Sequence, residues 1–108
     1  LERVDVDADY LADVLSDASV DFIKKCSENE DPFFLYVAYN APHNPLQATQ
    51  KYLDRFAHIE HWGRRNYAAM VSAVDDGVGQ ILQTLSDCGL DDDTLVFFLS
   101  DNGGASNN

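Results

Sequence analysis

The chain has 108 residues, 45% of them hydrophobic and 11% aromatic, with a formal net charge of −12. That composition suits one small domain or part of a larger one and does not fit a disordered chain. The acidic excess argues against nucleic acid or an anionic membrane as a partner, because both need a basic face, and the apolar runs are far too short to span a bilayer.

Ten of the 19 acids fall within the first 31 residues, so much of the charge belongs to one solvated flank. The sequence starts at Leu1 without an initiator Met and stops six residues after Asn102, so a fragment of a longer protein is expected. A missing signal peptide says little in that case. Residues 1–9 read as an extended stretch or weak edge strand, with Asp9 as a helix N-cap. Leu11, Val14, Leu15, Ala18 and Phe22 recur at helical spacing, which predicts an amphipathic helix from about Tyr10 to Ser27. Asp13, Asp17 and Asp21 lie on another face, and Lys24 and Lys25 suit the negative end of the helix dipole. Cys26 continues the apolar face and reads as a buried thiol; Cys88 precedes Gly89 at a helix end. Without C-x-x-C spacing the two cysteines indicate neither a zinc site nor a disulfide framework, and a Cys26–Cys88 bond is left open.

Pro32 breaks the first helix, and Phe33–Tyr39 is an unbroken apolar and aromatic run, as in a strand covered on both faces. It ends in a loop where Pro42 and Pro45 bracket His43. Residues 46–66 have no clean period and are net basic, with Lys51, Arg55, Arg64, Arg65, His58, His61 and Trp62 against Asp54 and Glu60. The plain reading is a surface loop with a short helix around Lys51–Phe56; the functional one is a rim that meets an anionic or sugar-like substrate. Tyr67, Met70, Val71, Val74, Val78, Ile81, Leu82 and Leu85 then predict a helix from about Asn66 to Asp87. Gly77 and Gly79 weaken it, which close approach to a neighbouring element would explain. Gly89 is a natural C-terminal cap, and Asp91–Asp93 a solvated turn. The last apolar run, Leu95–Leu99, reads as a strand that stops at Ser100, Asp101, Asn102, Gly103 and Gly104.

The order is helix, strand, loop, helix, strand, an α/β pattern whose second half is a βαβ unit with parallel strands. Parallel strands put both carboxyl ends on one sheet edge, where open α/β sheets bind ligands. His43 and the Asp101/Asn102 pair would then line one cleft although they lie far apart in sequence. Asp101 and Asn102 offer the hard oxygens that Ca²⁺ and Mg²⁺ prefer, although such a cation needs further ligands. His43 can donate a hydrogen bond to an anionic oxygen or protonate a leaving group. No Ser-His-Asp order, P-loop, G-x-G-x-x-G or G-x-S-x-G is present.

The stretch Pro32-Phe33-Phe34-Leu35-Tyr36-Val37-Ala38-Tyr39-Asn40-Ala41-Pro42-His43-Asn44-Pro45-Leu46 resembles the P-F-F-L-Y-x-A-x-x-A-P-H-x-P segment of the formylglycine-dependent sulfatases. Tyr67–Val71 with Asp75, Val78, Gly79, Ile81 and Leu82 looks like that family's next helix, and Thr94–Gly104 like its T-x-V-x-F-x-S-D-N-G segment. Tyr10-Leu11-Ala12-Asp13 resembles its Y-x-T-D, with Ala12 in place of Thr. The matches are in order and cover roughly residues 9–104. They imply a segment of an alkaline-phosphatase-superfamily domain, residues 1–108 being part of a sulfatase catalytic domain. They also imply Ca²⁺ on Asp101 and Asn102, His43 on the sulfate group, and hydrolysis of aryl or carbohydrate sulfate esters. The Ala-Pro-His-Asn-Pro wording looks most like arylsulfatase or N-acetylgalactosamine-sulfatase relatives. Asp75 has a family counterpart and is expected to make a helix-to-loop hydrogen bond.

The family's formylglycine comes from Cys in C-x-P-S-R, which neither Cys26 nor Cys88 fits. The paired acids and basic residues that complete the family's site are also absent, so the segment alone is expected to be inactive. Sulfated small molecules or glycans are the implied partners, and an exported location is implied by analogy. Two alternatives stand beside this reading: a phosphatase or phosphonate-ester hydrolase of the same superfamily, and a non-catalytic relative that binds sulfated glycans.

Overall fold

The computed structural model describes residues 10–29 and 32–104. The expected edge strand and the Asp9 cap lie outside them. Helix α1 spans Leu11–Asn29, the short α2 Gln50–Leu53, and α3 Trp62–Asp87. A 3-10 turn, Asp54–Phe56, continues α2, and another, Asp91–Asp93, follows α3.

The two long helices pack against each other, but α1 buries a different face from the one its large apolar residues mark. Its buried residues are Ala12, Ser16, Ser19 and Ile23, at spacings of four, three and four. Leu11 and Phe22 are exposed, as is Ala18. The reason is size: small side chains let α1 approach the matching small stripe of α3, which buries Ala69, Ala73 and Gly77. A Cβ on Gly77 would collide with the Ser16 hydroxyl and lie 2.5 Å from the Tyr39 hydroxyl. Close approach therefore explains Gly77. It does not explain Gly79, which has nothing within 4 Å. On α3, Met70 and Leu85 are buried as expected, whereas Val71 and Leu82 are exposed.

The centre of the core is Ala12, Tyr52, Ala69 and Ala73, with Tyr10, Tyr39, Ala48, Leu53 and Phe56 packed around it. Helix α3 begins four residues earlier than its periodicity indicates, because His61 caps it: the ring Nδ1 accepts the Arg64 N–H at 3.2 Å. It ends in a Schellman arrangement, with Leu90 N–H donating to Leu85 O and Gly89 N–H to Ser86 O, both 2.9 Å, and Gly89 at φ 67°. Both cysteines are free and half-buried, so Cys26 is less enclosed than expected.

Among the described residues no strand is paired, so the expected βαβ unit is not formed as a hydrogen-bonded sheet. Residues 33–39 are extended but lack a ladder. Phe33, Leu35, Val37 and Tyr39 turn inward and are half-buried, while Phe34 is 88% and Tyr36 79% exposed. Leu95–Leu99 is likewise unpaired and exposed on both faces, from 51% at Val96 to 83% at Leu99. An extended segment becomes a strand only when a neighbour takes up its N–H and C=O groups. Phe33 is held instead by an edge-to-face contact with Phe22, centroids 5.8 Å apart. Tyr39 is held by a 2.8 Å hydrogen bond between its hydroxyl and that of Ser16, whose own hydroxyl also donates to Ala12 O.

Candidate active site

The loop after the first extended segment carries cis Ala41–Pro42 and Asn44–Pro45 bonds on either side of His43. The His43 N–H donates to Asn40 O at 2.9 Å. Its ring Nδ1 lies 2.7 Å from Asn44 O. A carbonyl can only accept, so Nδ1 carries a proton, and the residue is exposed. Three residues on, Leu46 is buried, and its Cδ1 lies 3.9 Å from where a Gly63 Cβ would be. The His43 loop is thus seated on the first turn of α3.

The loop after the second extended segment reaches the next turn of the same helix. A Cβ on Gly104 would lie 2.7 Å from the Tyr67 hydroxyl and 3.3 Å from its Cζ. Gly63 and Tyr67 are four residues apart, about 6 Å along the axis. Leu46, three residues past His43, and Gly104, two past Asn102, therefore touch neighbouring turns at the N-terminal end of α3, without strand pairing among the described residues. Sequence reasoning missed the contact between Tyr67 and the second loop; its signal was the glycine at 104, where a Cβ would require the Tyr67 ring or the loop to shift.

Within that second loop Ser100 donates to Asn102 O. Asn102 Nδ2 donates to Gly103 O at 2.8 Å, which leaves the amide oxygen without a hydrogen-bond partner among the described residues. Asp101 is exposed and in no ion pair among the described residues. Both oxygens are therefore available to a hard cation, and the donor set fits Ca²⁺ or Mg²⁺ in type. No group of three or more His, Cys, Asp or Glu side chains gathers among the described residues, so the pair is a partial ligand set.

The basic stretch is less free than a solvated loop. Tyr52 is fully buried and donates to Asp13 at 2.5 Å. Lys51 Nζ donates to the Tyr52 hydroxyl at 3.0 Å and stands 3.9 Å from Asp13. Arg55 makes a two-pronged bond to Asp76, at 2.8 and 2.6 Å, and reaches Ser72 at 2.8 Å. Lys51 and Arg55 also lie 4.6 and 5.0 Å from the centre of the Tyr52 ring. Burial first, then the Asp13 bond, pushes the Tyr52 phenol up; the Arg55 bond holds the Asp76 carboxyl below its usual range. Burial also raises Tyr10, whose hydroxyl is buried without a partner among the described residues. The helix-to-loop bond expected of Asp75 belongs to its neighbour Asp76. Arg65 is bound through Nε and Nη2 to Leu53 O.

An open groove of about 620 Å³ runs along the C-terminal half of α3, lined by Val20, Asp75, Asp76, Gly79, Gln80, Gln83 and Thr84. Its nearest α3 residue, Asp75, is eight positions beyond Tyr67, about 12 Å along the helix. It is an acidic groove away from the two loops.

A family model described as Sulfatase matches residues 3–108. Mouse arylsulfatase J is 41% identical over 73 residues, which cover 68% of this chain and 12% of that protein. Human N-acetylgalactosamine-6-sulfatase is 38% identical over 95 residues, covering 88% of this chain and 17% of that one. Among solved structures, Ps i-CgsB superposes with a TM-score of 0.71 at 44% identity, over 75% of this chain and 18% of that chain. A second structure of the same protein, in complex with k-i-k-neocarrahexaose, matches equally well. The chain thus spans less than a fifth of these relatives. With the family match running from residue 3 to residue 108, and an alkaline-phosphatase-like fold shared with a solved relative, the chain belongs to the sulfatase family.

Proposed function

We propose that this chain is a segment of the catalytic domain of a longer protein that hydrolyses aryl or carbohydrate sulfate esters. Asp101 and Asn102 would supply two oxygens to a Ca²⁺ ion, and His43 would contact the sulfate group. The observation that supports this reading is that Leu46, just past the His43 loop, and Gly104, at the end of the Ser100–Gly104 loop, contact successive turns at one end of α3. Family membership supports the same chemistry. When bound, the cation would neutralise sulfate oxygens and the charge that develops on them. His43 would keep its ring fixed through the Asn44 carbonyl and, when Nε2 also carries a proton, would donate it in a hydrogen bond to an anionic oxygen or pass it to the leaving group. Neither cysteine lies in the C-x-P-S-R setting of the family's formylglycine, so the attacking group would come from another part of the longer protein, and the segment by itself would not turn over.

The bare extended segments support the same reading. Exposed Phe34, Tyr36 and Leu95–Leu99 suit strands whose neighbours come from the rest of the domain, which would complete the parallel βαβ unit. Export of the longer protein follows from the resemblance alone, and cell fractionation checks it. The test of function is sulfate release by the full-length protein from an aryl sulfate, with Ca²⁺ and with chelator. Turnover that needs the cation and falls at least a hundredfold in Asp101→Asn and His43→Ala supports the proposal. Turnover of phosphate esters with no sulfate release would replace it with the phosphatase reading.

A further inference from the structure

Of the four cations in the basic stretch 51–65, three are committed within the fold: Lys51 to Tyr52 and Asp13, Arg55 to Asp76, and Arg65 to Leu53 O. Arg64 is exposed and makes no side-chain hydrogen bond or ion pair among the described residues. Two positions away is Trp62, 67% exposed at the first position of α3. His61 is exposed beside them, its ring held by the Arg64 N–H and lying over Gly63, where a Cβ would come within 3.3 Å of His61 Cε1. Leu46 packs at Gly63, so this aromatic and cationic patch adjoins the His43 loop. Leu46 is three residues from His43, no more than about 10 Å of chain.

We propose that Trp62 and Arg64, backed by His61, form a sugar subsite on the rim of the active site, and that it holds the unit next to the sulfated one in an anionic oligosaccharide. This inference rests on the sulfatase reading above. An indole is apolar across its face and polar at its edge, the surface that stacks on the C–H face of a pyranose while leaving its hydroxyls wet. A guanidinium presents a planar fork that pairs with two oxygens of a sulfate or carboxylate. An anionic glycan is drawn to a local cation, and among the described residues Arg64 is the cation of this stretch with no side-chain partner. A small aryl sulfate would fill the site without reaching the rim, so the patch discriminates between substrate classes.

The test uses the full-length protein as wild type, Trp62→Ala, Trp62→Phe and Arg64→Gln. Rates on a sulfated oligosaccharide and on 4-nitrophenyl sulfate are measured together with calorimetric binding of the sulfated oligosaccharide. The expected result is a fall of about tenfold in the oligosaccharide-to-aryl ratio of kcat/KM for Trp62→Ala and for Arg64→Gln, carried by KM, with Trp62→Phe retaining most of the ratio. Calorimetric affinity falls by the same factor. An unchanged ratio, or equal losses on both substrates, overturns the subsite. If wild type hydrolyses neither substrate, the hydrolase reading fails and calorimetry alone decides the subsite. Binding that weakens about tenfold in Trp62→Ala then upholds it, and no binding or unchanged binding overturns it.

Discussion

Gly77→Ala and Gly79→Ala place the same methyl group two positions apart on one helix, and the structure assigns them opposite signs. At Gly79 a Cβ meets nothing within 4 Å. The substitution there collects the helix-propensity difference, a stabilisation of about 0.5–1 kcal/mol. At Gly77 the new methyl would overlap the Ser16 hydroxyl, with Ser16 Cβ at 3.1 Å and the Tyr39 hydroxyl at 2.5 Å. Overpacking of this kind costs about 1–3 kcal/mol. Displacing Ser16 also breaks its 2.8 Å bond to Tyr39, a further loss of about 1 kcal/mol. Set against the propensity gain, the net effect is a destabilisation of about 1–3 kcal/mol. Urea unfolding followed by far-UV circular dichroism measures both variants. Ser16→Gly, which removes the clashing side chain, should recover part of the Gly77→Ala loss in the double mutant, a coupling of about 0.5–2 kcal/mol. A Gly77→Ala protein as stable as Gly79→Ala would refute the close packing of α1 on α3 at this point.

Other consequences can be measured separately. Tyr52→Phe removes the hydroxyl that joins Asp13 to Lys51, and should cost about 1–3 kcal/mol in the same unfolding assay, because Asp13 and Lys51 lose a shared partner. The Asp76 carboxyl has a lower pKa in the folded chain than its ordinary 3.8, held down by Arg55. Its contribution is therefore fully present above the unfolded value and lost as pH falls through the lower folded one, and thermal melts of wild type and Arg55→Gln should converge as the solution is acidified across that window. Gly104→Ala brings a methyl into the Tyr67 hydroxyl, so the ring or the Ser100–Gly104 loop must shift. In the full-length protein it should lower sulfate ester turnover about tenfold or more, and Tyr67→Ala in the same molecule should restore part of it; a fully active Gly104→Ala would remove Tyr67 as the seat of that loop.

The long helices were readable because their apolar residues recur at helical spacing over many turns, and Gly89 marked the end of α3 through its backbone geometry. The start of α3 was not readable, because the cap is an imidazole nitrogen of His61 and not one of the usual hydroxyl or carboxylate caps. The face that α1 buries was misread for a physical reason. Leu11 and Phe22 are exposed, and the buried face is Ala12, Ser16, Ser19 and Ile23, three of them small enough to permit close approach. The network around Tyr52 was invisible for another reason: Asp13 and Tyr52 are 39 positions apart, and no local pattern pairs them. Of the site, the residue types and their place after two apolar runs could be read from the sequence, whereas the contacts that seat the two loops on α3, through Leu46 and Tyr67, join distant positions and could not. Those runs find no ladder partner among the described residues.

The most direct measurement is a crystal structure of the full-length protein with Ca²⁺ and inorganic sulfate. The proposed site places one oxygen each from Asp101 and Asn102 at about 2.3–2.6 Å from the cation. It also requires His43 Nε2 within hydrogen-bond distance of a sulfate oxygen at the same centre. A cation bound away from Asp101 and Asn102, or a His43 ring remote from the sulfate, would contradict it.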